Sequence, residues 1–289
     1  MGFPLALNLC DHHFEVVAYD PAPAIRKQAA RESGLMVVKG EAELAQRLEP
    51  RRVLWLMVPA GKATDAALSA LLPNLTPGDV VIDGGNSNFK DSVRRQAMLK
   101  ESGVHFLDCG TSGGTSGARH GACTMIGGEK DVYELCRPVF DAVSLPGGSL
   151  YVGGPGAGHF VKMVHNGIEY GMMQAIAEGF EVLAKSGYAL EFRKIADLWQ
   201  HGSVVRSWLM ELAAEAFAKD PRLEDLKGRM HASGEGKWAV ETALDLGVPA
   251  PVIALSLMMR LRSLEDDTFA GRVVAALRRE FGGHPVDKK

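Results

Sequence analysis

Two short apolar runs in the first half of the chain restrict its fold more than any other feature. They are VLWLMV at residues 53–58 and VVID at residues 80–83, and each is followed by a turn, PAG or GGNS. Continuous apolar runs of this length are typical of strands buried on both faces of a parallel sheet. Helix-like segments separate them from further strand candidates, and this alternation predicts a doubly wound α/β sheet.

The pattern changes near a glycine-rich segment at residues 153–158. After this segment, apolar residues recur at helical spacing with almost no strands between them. We therefore predict a Rossmann-like, doubly wound parallel sheet over residues 1–153 as a dinucleotide-binding domain, and an all-α domain over residues 154–289. The predicted helices of the second domain are 161–185, 192–201, 204–219, 237–245, 251–264 and 269–281.

The first domain starts without a strand. A dinucleotide-binding βαβ unit needs a strand and a glycine-rich turn before its first helix, but here the first helix candidate begins at Gly2, directly after Met1. We expect the sheet to lack its first strand in this sequence, as an N-terminally truncated domain would. Besides the two apolar runs, the strand candidates are 14–19, 35–38, 105–108, 123–126 and 150–152, and the helix candidates are 3–10, 24–33, 42–48, 63–72 and 89–102.

Asp20 stands at the end of the first strand candidate. An acid at this position of a dinucleotide-binding unit accepts hydrogen bonds from the adenosine ribose and repels a 2′-phosphate. No arginine follows Asp20 at once, so the residue favours NAD as the cofactor, with NADP as the alternative. Asp20 equally fits a simple turn before Pro21.

The composition excludes several classes of function. Lys and Arg total 32 against 35 for Asp and Glu, a balance that argues against a nucleic-acid partner. The four cysteines form no CxxC pair and read as reduced thiols of a cytoplasmic protein. We find neither a signal peptide nor an apolar run of membrane-spanning length, so no membrane partner is expected.

A helix in the second half carries an unusual polar face. Lys162, His165, Asn166, Glu169 and Tyr170 are spaced so that all five lie on one side of a helix whose other residues are largely apolar. A merely solvated face would show Lys and Glu pairs at four-residue spacing, whereas His, Asn and Tyr fill this one. The face is therefore a candidate ligand site, with the solvated face as the alternative.

Three motifs resemble a known family. VIDGGNSNFKDS at 81–92, DCGTSGGTSGARHG at 108–121 and GHFVKMVHNGIEYGMMQAIAE at 158–178 resemble the short, bacterial, decarboxylating 6-phosphogluconate dehydrogenases of the β-hydroxyacid dehydrogenase superfamily. The resemblance runs from Gly2 to His284. It implies oxidative decarboxylation of 6-phosphogluconate to ribulose 5-phosphate and CO2, with reduction of NAD or NADP.

The resemblance also implies roles for individual residues. Lys162 would take the substrate's hydroxyl proton and later polarise the carbonyl group, and Glu169 would protonate the enediol, a pattern expected of an acid–base pair. No metal is implied. The substrate-binding residues would be Asn86, Ser112, Gly113, Gly114, His165, Asn166, Tyr170, Arg260, Arg278 and His284. The cofactor-binding residues would be Gly2, Asp20, Val58, Pro59, Ala60 and Asn86.

Arg278 and His284 imply a partner subunit. In the family, their motif reaches the active site of the partner, so the resemblance implies a homo-oligomer, a dimer or tetramer, with shared active sites. The sequence departs from longer family members at Ser233 and Pro59, where they carry lysines. It also lacks their second helical repeat and the first two fingerprint glycines, Gly2 matching the third.

Two other functions stay open. One is a β-hydroxyacid dehydrogenase for 3-hydroxyisobutyrate or a similar small acid, although that branch typically shows KxxNN where this chain has KMVHN at 162–166. The other is a non-catalytic remnant that lost cofactor binding with the first strand. A start site assigned to an internal methionine would also explain the missing strand, with no loss of function.

Overall fold

The computed structural model describes residues 1–288. Its contacts divide the chain into two compact units, a first one over Met1–His165 and a second one that begins at Asn166. The division into domains at residues 153 and 154 stays a prediction.

The first unit is built from alternating strands and helices. Its strands are β1 (Val16–Ala18), β2 (Leu35–Val37), β3 (Val53–Leu56), β4 (Val80–Asp83), β5 (His105–Ser112), β6 (Ala122–Gly128) and β7 (Ser144–Gly153). Its helices are α1 (Gly2–Asp11), α2 (Pro23–Ala29), α3 (Glu41–Gln46), α4 (Lys62–Leu71), α5 (Phe89–Glu101), α6 (Gly114–His120) and α7 (Lys130–Val143). A long helix, α8 (Ala157–Lys185), begins in the first unit and continues into the second.

The strands form two sheets, a parallel pair β1-β2 and a five-stranded sheet in the order β3-β4-β5-β6-β7. The predicted parallel α/β sheet is confirmed, with one exception: β5 and β6 pair antiparallel, with Ser112 opposite Cys123. The reason is the short connection over residues 113–121, because a parallel crossover needs about a dozen residues or more. Within residues 1–288, no strand precedes α1.

Alternate residues of β4 pack on the two faces of the five-stranded sheet. Val80 and Ile82 join a core cluster with Phe140 of α7, whereas Val81 joins another with Leu99 of α5. This strand is buried along its whole length, as predicted.

Burial of the whole strand on both faces was also predicted for β3, and there the prediction is wrong. Leu54 and Leu56 are buried, but Val53 and Trp55 are only partly buried. The cause is position, because β3 is the edge strand of the five-stranded sheet and lacks a neighbour on one side.

The second unit contains the rest of α8 and five further helices, so the predicted all-α character is confirmed. They are α9 (Phe192–Gln200), α10 (Trp208–Lys219), α11 (Glu235–Asp245), α12 (Pro251–Arg262) and α13 (Phe269–Gly282). Its core is aromatic, with the Phe180 ring 5.8 Å from Phe192 and 4.8 Å from Phe217. The helix predicted from residue 204 begins later, because the Ser207 side chain accepts a hydrogen bond from Met210 N and caps α10.

Large apolar side chains of the second unit face outward in the single chain. Ile168 and Met172 of α8 are 53% and 41% exposed. The exposed residues of α12 and α13 include Val252, Leu255, Met258, Leu261, Phe269, Val274, Leu277 and Phe281. Apolar surface of this extent is typical of a contact with another molecule.

None of the helices described in residues 1–288 combines the length and apolarity that a bilayer crossing requires.

Candidate active site

The loops that follow β3 and β4 approach each other closely. A Cβ atom on Gly85 would lie 2.7 Å from the carbonyl oxygen of Val58, and one on Gly84 would lie 1.9 Å from Nε1 of Trp55. Both positions therefore require glycine. The carboxyl ends of neighbouring parallel strands form the ligand-binding edge of an open α/β sheet, and the predicted residues Val58 and Asn86 lie at this edge.

A buried guanidinium group connects these two loops. Arg95 of α5 is fully buried and donates hydrogen bonds from Nη1 to Asp83 Oδ2, at 3.1 Å, and from Nη2 to the Gly61 carbonyl oxygen, also at 3.1 Å. Its Nε donates to Asp65 Oδ1 at 2.9 Å. Burial alone would raise the pKa of the Asp65 carboxyl, but the hydrogen bonds from Arg95 and Arg94 outweigh it and lower that pKa below its ordinary value.

Asp83 and Thr64 stiffen the loops from within. Asp83 accepts hydrogen bonds from Gly85 N at 3.1 Å and from the Ser87 hydroxyl at 2.7 Å. The buried Thr64 hydroxyl donates to the Pro59 carbonyl oxygen at 3.0 Å. Pro59 and Ala60, both predicted to bind the cofactor, are exposed on the loop that this hydrogen bond joins to α4.

Asn86 offers an unused acceptor. Within residues 1–288, its buried Oδ1 atom has no hydrogen-bond partner. A buried acceptor without a donor is costly unless a ligand or water supplies one. Since the atom lies at the ligand-binding edge of the sheet, the residues present fit a ligand that donates N–H or O–H groups, such as a carboxamide or a sugar hydroxyl.

The other predicted cofactor residues are Gly2 and Asp20. A Cβ atom on Gly2 would lie 3.2 Å from Met57 Cβ, so α1 starts beside the residue that follows β3. Asp20 Oδ1 accepts a hydrogen bond from Ala22 N at 2.8 Å, which is the turn considered as its alternative role. This bond occupies one carboxylate oxygen, so the turn is compatible with ribose binding by the other.

Arg26 lies near Asp20, although it is six residues further along the chain. Its Nη1 donates to the carbonyl oxygens of Asp20 and Pro21, at 2.5 and 3.0 Å, and its guanidinium group lies 5.7 Å from the centre of the Tyr19 ring. The side chain is thus tied to the backbone at the end of β1.

The first turn of α8 is anchored on β5. The fully buried Asp108 accepts hydrogen bonds from Gly156 N, at 2.7 Å, and from His159 N, at 2.8 Å. A carboxylate at this position satisfies free backbone donors and interacts favourably with the helix dipole. A Cβ atom on Gly158 would lie 2.4 Å from the Asp108 carbonyl oxygen, so glycine permits this close approach.

This anchoring brings three predicted residues of the first unit together. Lys162 is only 5% exposed, and its stem lies against Gly110, where a Cβ atom would be 2.3 Å from Lys162 Cβ. Its Nζ is 3.4 Å from His165 Nδ1, and His165 Nε2 is 3.3 Å from the Ser112 hydroxyl. A buried amine, an imidazole and a hydroxyl group thus form a contiguous polar cluster at the end of β5.

Gly113 and Gly114 follow Ser112 in conformations that favour glycine, with φ angles of 122° and 61°. A Cβ atom on Gly113 would lie 2.9 Å from Gly117 Cα, in the first turn of α6. The need for glycine here has a structural cause, and the predicted contact with substrate stays a prediction.

In the second unit, α8 continues with Asn166, Glu169 and Tyr170. Asn166 and Tyr170 are buried, whereas Glu169 is partly buried. The Arg260 guanidinium group stacks 3.7 Å from the centre of the Tyr170 ring and donates to the His231 carbonyl oxygen at 3.2 Å. The structure thus brings Tyr170 and Arg260 together, and their common role in binding substrate stays a prediction.

The start of α11 lies against the same ring. A Cβ atom on Gly236 would lie 2.4 Å from the Tyr170 ring. The neighbouring Glu235 is 5% exposed and accepts a hydrogen bond from the Ser233 hydroxyl. Ser233, where longer family members carry lysine, therefore donates to a buried carboxylate next to Gly236, the residue that lies against the Tyr170 ring.

Arg278 and His284, at the end of α13 and beyond it, are exposed in the single chain. His284 contacts the Phe281 ring at a centroid distance of 6.0 Å. Their role in the active site of a partner subunit stays a prediction.

Three buried residues of the site were not assigned roles from the sequence: Arg95, Asp108 and His159. Asp108 and His159 lie inside the motifs that carry the family resemblance. A polar residue within such a motif is the signal from which a role in the site could have been predicted. Arg95 lies in a helix with several charged residues, and only its tertiary contacts distinguish it from the exposed Arg94.

No group of three or more His, Cys, Asp or Glu side chains arranged to hold a metal ion occurs in residues 1–288.

Comparison with known families covers nearly the whole chain. Residues 1–153 match a profile described as the NAD binding domain of 6-phosphogluconate dehydrogenase, and residues 158–279 match the 6-phosphogluconate dehydrogenase C-terminal domain.

Individual relatives agree with these matches. YqeC of Bacillus subtilis (strain 168), named provisionally as a 6-phosphogluconate dehydrogenase, is 52% identical over 100% of this chain and 97% of its own. The NAD(+)-dependent, decarboxylating 6-phosphogluconate dehydrogenase of Haloferax volcanii is 44% identical over 100% of this chain and 96% of its own. The structure of Plasmodium falciparum 6-phosphogluconate dehydrogenase superposes with a TM-score of 0.83 at 30% identity, covering 100% of this chain and 64% of that longer one.

Proposed function

The chain belongs to the 6-phosphogluconate dehydrogenase family, and from this membership we propose that it converts 6-phosphogluconate to ribulose 5-phosphate and CO2, with NAD as the preferred hydride acceptor. Membership makes the chain an oxidoreductase with an NAD(P)-binding domain. The observation that carries the specific reaction is the cluster of Lys162, His165 and Ser112, because a buried amine in contact with an imidazole suits a proton acceptor beside a sugar acid.

The proposed chemistry assigns proton transfers to two residues. A bound nicotinamide dinucleotide supplies the acceptor for the hydride that leaves the substrate carbon. The neutral amine of Lys162 takes the proton of the hydroxyl group on that carbon, and the resulting ammonium group then donates to the new carbonyl oxygen. This polarisation lets the carboxylate leave as CO2, its bonding electrons forming the enediol. Glu169 then protonates the enediol at carbon while the Lys162 amine takes back the hydroxyl proton, which leaves the ketone.

The remaining predicted residues orient the substrate. Asn86, Ser112, His165 and Asn166 provide hydrogen bonds for hydroxyl and carboxylate groups, with Gly113 and Gly114 allowing close approach. Tyr170 and the stacked Arg260 bind the phosphate, and Arg278 and His284 act in the site of a partner subunit. An arginine next to a phenol suits a phosphate group because guanidinium donors match its oxygens.

The reaction is tested by direct assay of the full chain. With NAD and 6-phosphogluconate we expect equal amounts of NADH and CO2, and much slower turnover with gluconate or 3-hydroxyisobutyrate. Faster turnover of 3-hydroxyisobutyrate would assign the chain to another β-hydroxyacid branch, and failure to bind NAD in calorimetry would support the non-catalytic remnant.

For the cofactor, the residues at the ends of β3 and β4 fit a dinucleotide, as the close approach of Gly85 to Val58 and the unused acceptor of Asn86 indicate. Gly2, Val58, Pro59 and Ala60 would line the cofactor, and Asp20 would bind the ribose. The preference for NAD follows from the charge of Asp20, which repels a 2′-phosphate.

Replacing Asp20 therefore shifts this preference. We expect Asp20→Ala to lower kcat/KM with NAD about tenfold or more, since a hydrogen bond to a charged group contributes about 1.5–3 kcal/mol, and to change kcat/KM with NADP little or raise it. Steady-state kinetics with both cofactors provide the measurement. An unchanged ratio of the two kcat/KM values would reject the ribose role and leave Asp20 as a turn residue.

The proposal includes a homo-oligomer, a dimer or tetramer, in which subunits share active sites. The exposed apolar side chains of α12 and α13 support it, since Leu277 is 59% and Phe281 78% exposed beside Arg278 and before His284. It further assigns dinucleotide binding to residues 1–153, substrate binding and oligomerisation to residues 154–289, and a cytoplasmic location.

Subunit mixing tests the shared site. Lys162→Met and His284→Ala variants are each expected to be nearly inactive, but after being unfolded and refolded together they should regain about a quarter of the wild-type activity if the unit is a dimer. After random refolding, half of the dimers contain one chain of each variant. In such a dimer one of the two sites combines an intact Lys162 with an intact His284, because each site draws on both chains. Light scattering gives the mass, and no recovery in a proven oligomer would reject the shared site.

A further inference from the structure

His159 is a buried histidine to which the proposed chemistry assigns no role. It is 1% exposed in the first turn of α8, and both of its ring nitrogens have partners. Nε2 lies 2.7 Å from the Gly85 carbonyl oxygen, and Nδ1 lies 2.7 Å from the Ser92 hydroxyl. Since a carbonyl oxygen only accepts hydrogen bonds, Nε2 carries a hydrogen and donates it to Gly85.

The ring joins the two segments that carry the proposed machinery. Gly85 directly precedes Asn86, whose buried Oδ1 is unused, and His159 lies three residues before Lys162, almost one turn earlier on α8. The hydrogen bond to Gly85 is therefore a short link between the helix that presents Lys162 and the loop that presents Asn86. Such a link affects the distance between the two groups that would face one substrate.

Each end of this link is independently fixed. At the helix end, His159 N donates to Asp108 at 2.8 Å, which ties the residue to β5. At the loop end, Gly85 N donates to Asp83 at 3.1 Å, so both polar groups of Gly85 are engaged. The hydroxyl of Ser92, from α5, then sets the rotation of the ring.

Packing alone does not account for this arrangement. A buried apolar side chain would fill the same space without requiring two hydrogen-bond partners, whose loss leaves buried polar groups unsatisfied. Both partners of the ring, Gly85 and Ser92, are far from His159 in the sequence, and both lie on the segment that follows the carboxyl end of β4.

We propose that His159 is a positioning residue that holds the Gly85–Asn86 loop at the working distance from Lys162, through its hydrogen bond to the Gly85 carbonyl oxygen. The inference rests on the proposed function, in which Lys162 and Asn86 act on one substrate. A displacement of about 1 Å between reacting groups costs about 100-fold in rate, so loss of the link should appear in kcat before it appears in NAD binding.

Two substitutions separate the hydrogen bond from the ring. The side chain of His159→Gln can place its amide nitrogen near the position of Nε2 and donate to Gly85, whereas the shorter side chain of His159→Asn cannot reach that oxygen. We expect His159→Asn to lower kcat about 100-fold with 6-phosphogluconate and to weaken NAD binding by a much smaller factor, because Asn86 is only one of the residues that would line the cofactor. His159→Gln should recover most of the lost kcat.

Controls distinguish positioning from a general loss of stability. Asp79→Asn also perturbs a fully buried, hydrogen-bonded group, but at the amino end of β4, opposite the site, and should lower the unfolding midpoint without lowering kcat. If His159→Asn does not fold, Ser92→Ala serves instead, because it removes the hydroxyl group that orients the ring and so weakens the hydrogen bond from Nε2 to Gly85. We expect it to lower kcat about tenfold, and an unchanged kcat would overturn the proposal.

The other possible results also decide whether His159 is a positioning residue. A His159→Asn variant with kcat within threefold of wild type overturns the proposal, as does an equal loss of kcat in the Gln and Asn variants. A wild-type chain that does not turn over 6-phosphogluconate rejects the proposed function and this inference with it. An active wild type beside an equally active His159→Asn variant rejects this inference alone.

Discussion

Replacing Lys162 by methionine should abolish turnover of 6-phosphogluconate while leaving NAD binding near normal. Methionine keeps a flexible apolar stem of similar length against Gly110, so packing beneath the side chain is largely preserved. What is lost is the amine that would serve twice, first as base and then as acid. Since a positioned acid or base contributes about 10²–10⁴-fold each time it acts, we expect kcat to fall at least about 1,000-fold.

Stopped-flow measurement of NADH formation in a single turnover is the sharpest assay, because it observes the first proton and hydride transfer directly. Lys185→Met is the matched control, since Lys185 lies on the same helix, is 77% exposed, and forms a surface ion pair with Glu181. That variant should retain wild-type kinetics. Turnover by Lys162→Met within tenfold of wild type would mean that another group is the base.

The part of the site that lies on α8 is the part most readily predicted from sequence. A helix repeats every 3.6 residues, so the spacing from Lys162 to Tyr170 determines that these side chains share a face once the segment is helical. The helix is observed over Ala157–Lys185, and Lys162 lies 3.4 Å from His165. Local geometry alone specifies that contact.

Contacts between distant segments could not be derived in this way. Ser112 and His165 are separated by 53 residues, and they meet because Asp108 anchors α8 on β5. The family resemblance pointed to both residues, but the anchor that unites them depends on tertiary packing. The same holds for Tyr170 and Arg260, which only the folded second unit brings within 3.7 Å.

The errors in the predicted fold have equally specific causes. The run at 53–58 was expected to be buried on both faces because its residues are all apolar, yet β3 is an edge strand, and strand order is not encoded in hydrophobicity. Helix α7 was not predicted at all, although it buries Tyr133, Cys136 and Phe140, and it contains Pro138. The antiparallel pairing of β5 and β6 follows from a short connection whose helix α6 is rich in glycine, serine and threonine.

Arg95 is the residue whose loss should most weaken the folded state. Arg95→Met would leave the carboxylate of Asp83 fully buried without its charged partner and would free the Gly61 carbonyl oxygen. Breaking a buried ion pair from one side costs about 3–5 kcal/mol. That is a large share of a typical domain stability of about 5–15 kcal/mol, so we expect a much lower urea midpoint.

The neighbouring Arg94 provides the matched control. It shares Asp65 with Arg95, but its side chain is 52% exposed, so Arg94→Met should change the unfolding free energy by less than about 1 kcal/mol. Equal losses in the two variants would show that the buried network contributes nothing beyond a surface pair.

Arg95→Lys adds a functional readout. Lysine keeps the charge but lacks the planar set of donors that reaches Asp83, Asp65 and Gly61 together. If it folds, the loops after β3 and β4 lose their connection, and NAD affinity should fall even where much of the stability is retained.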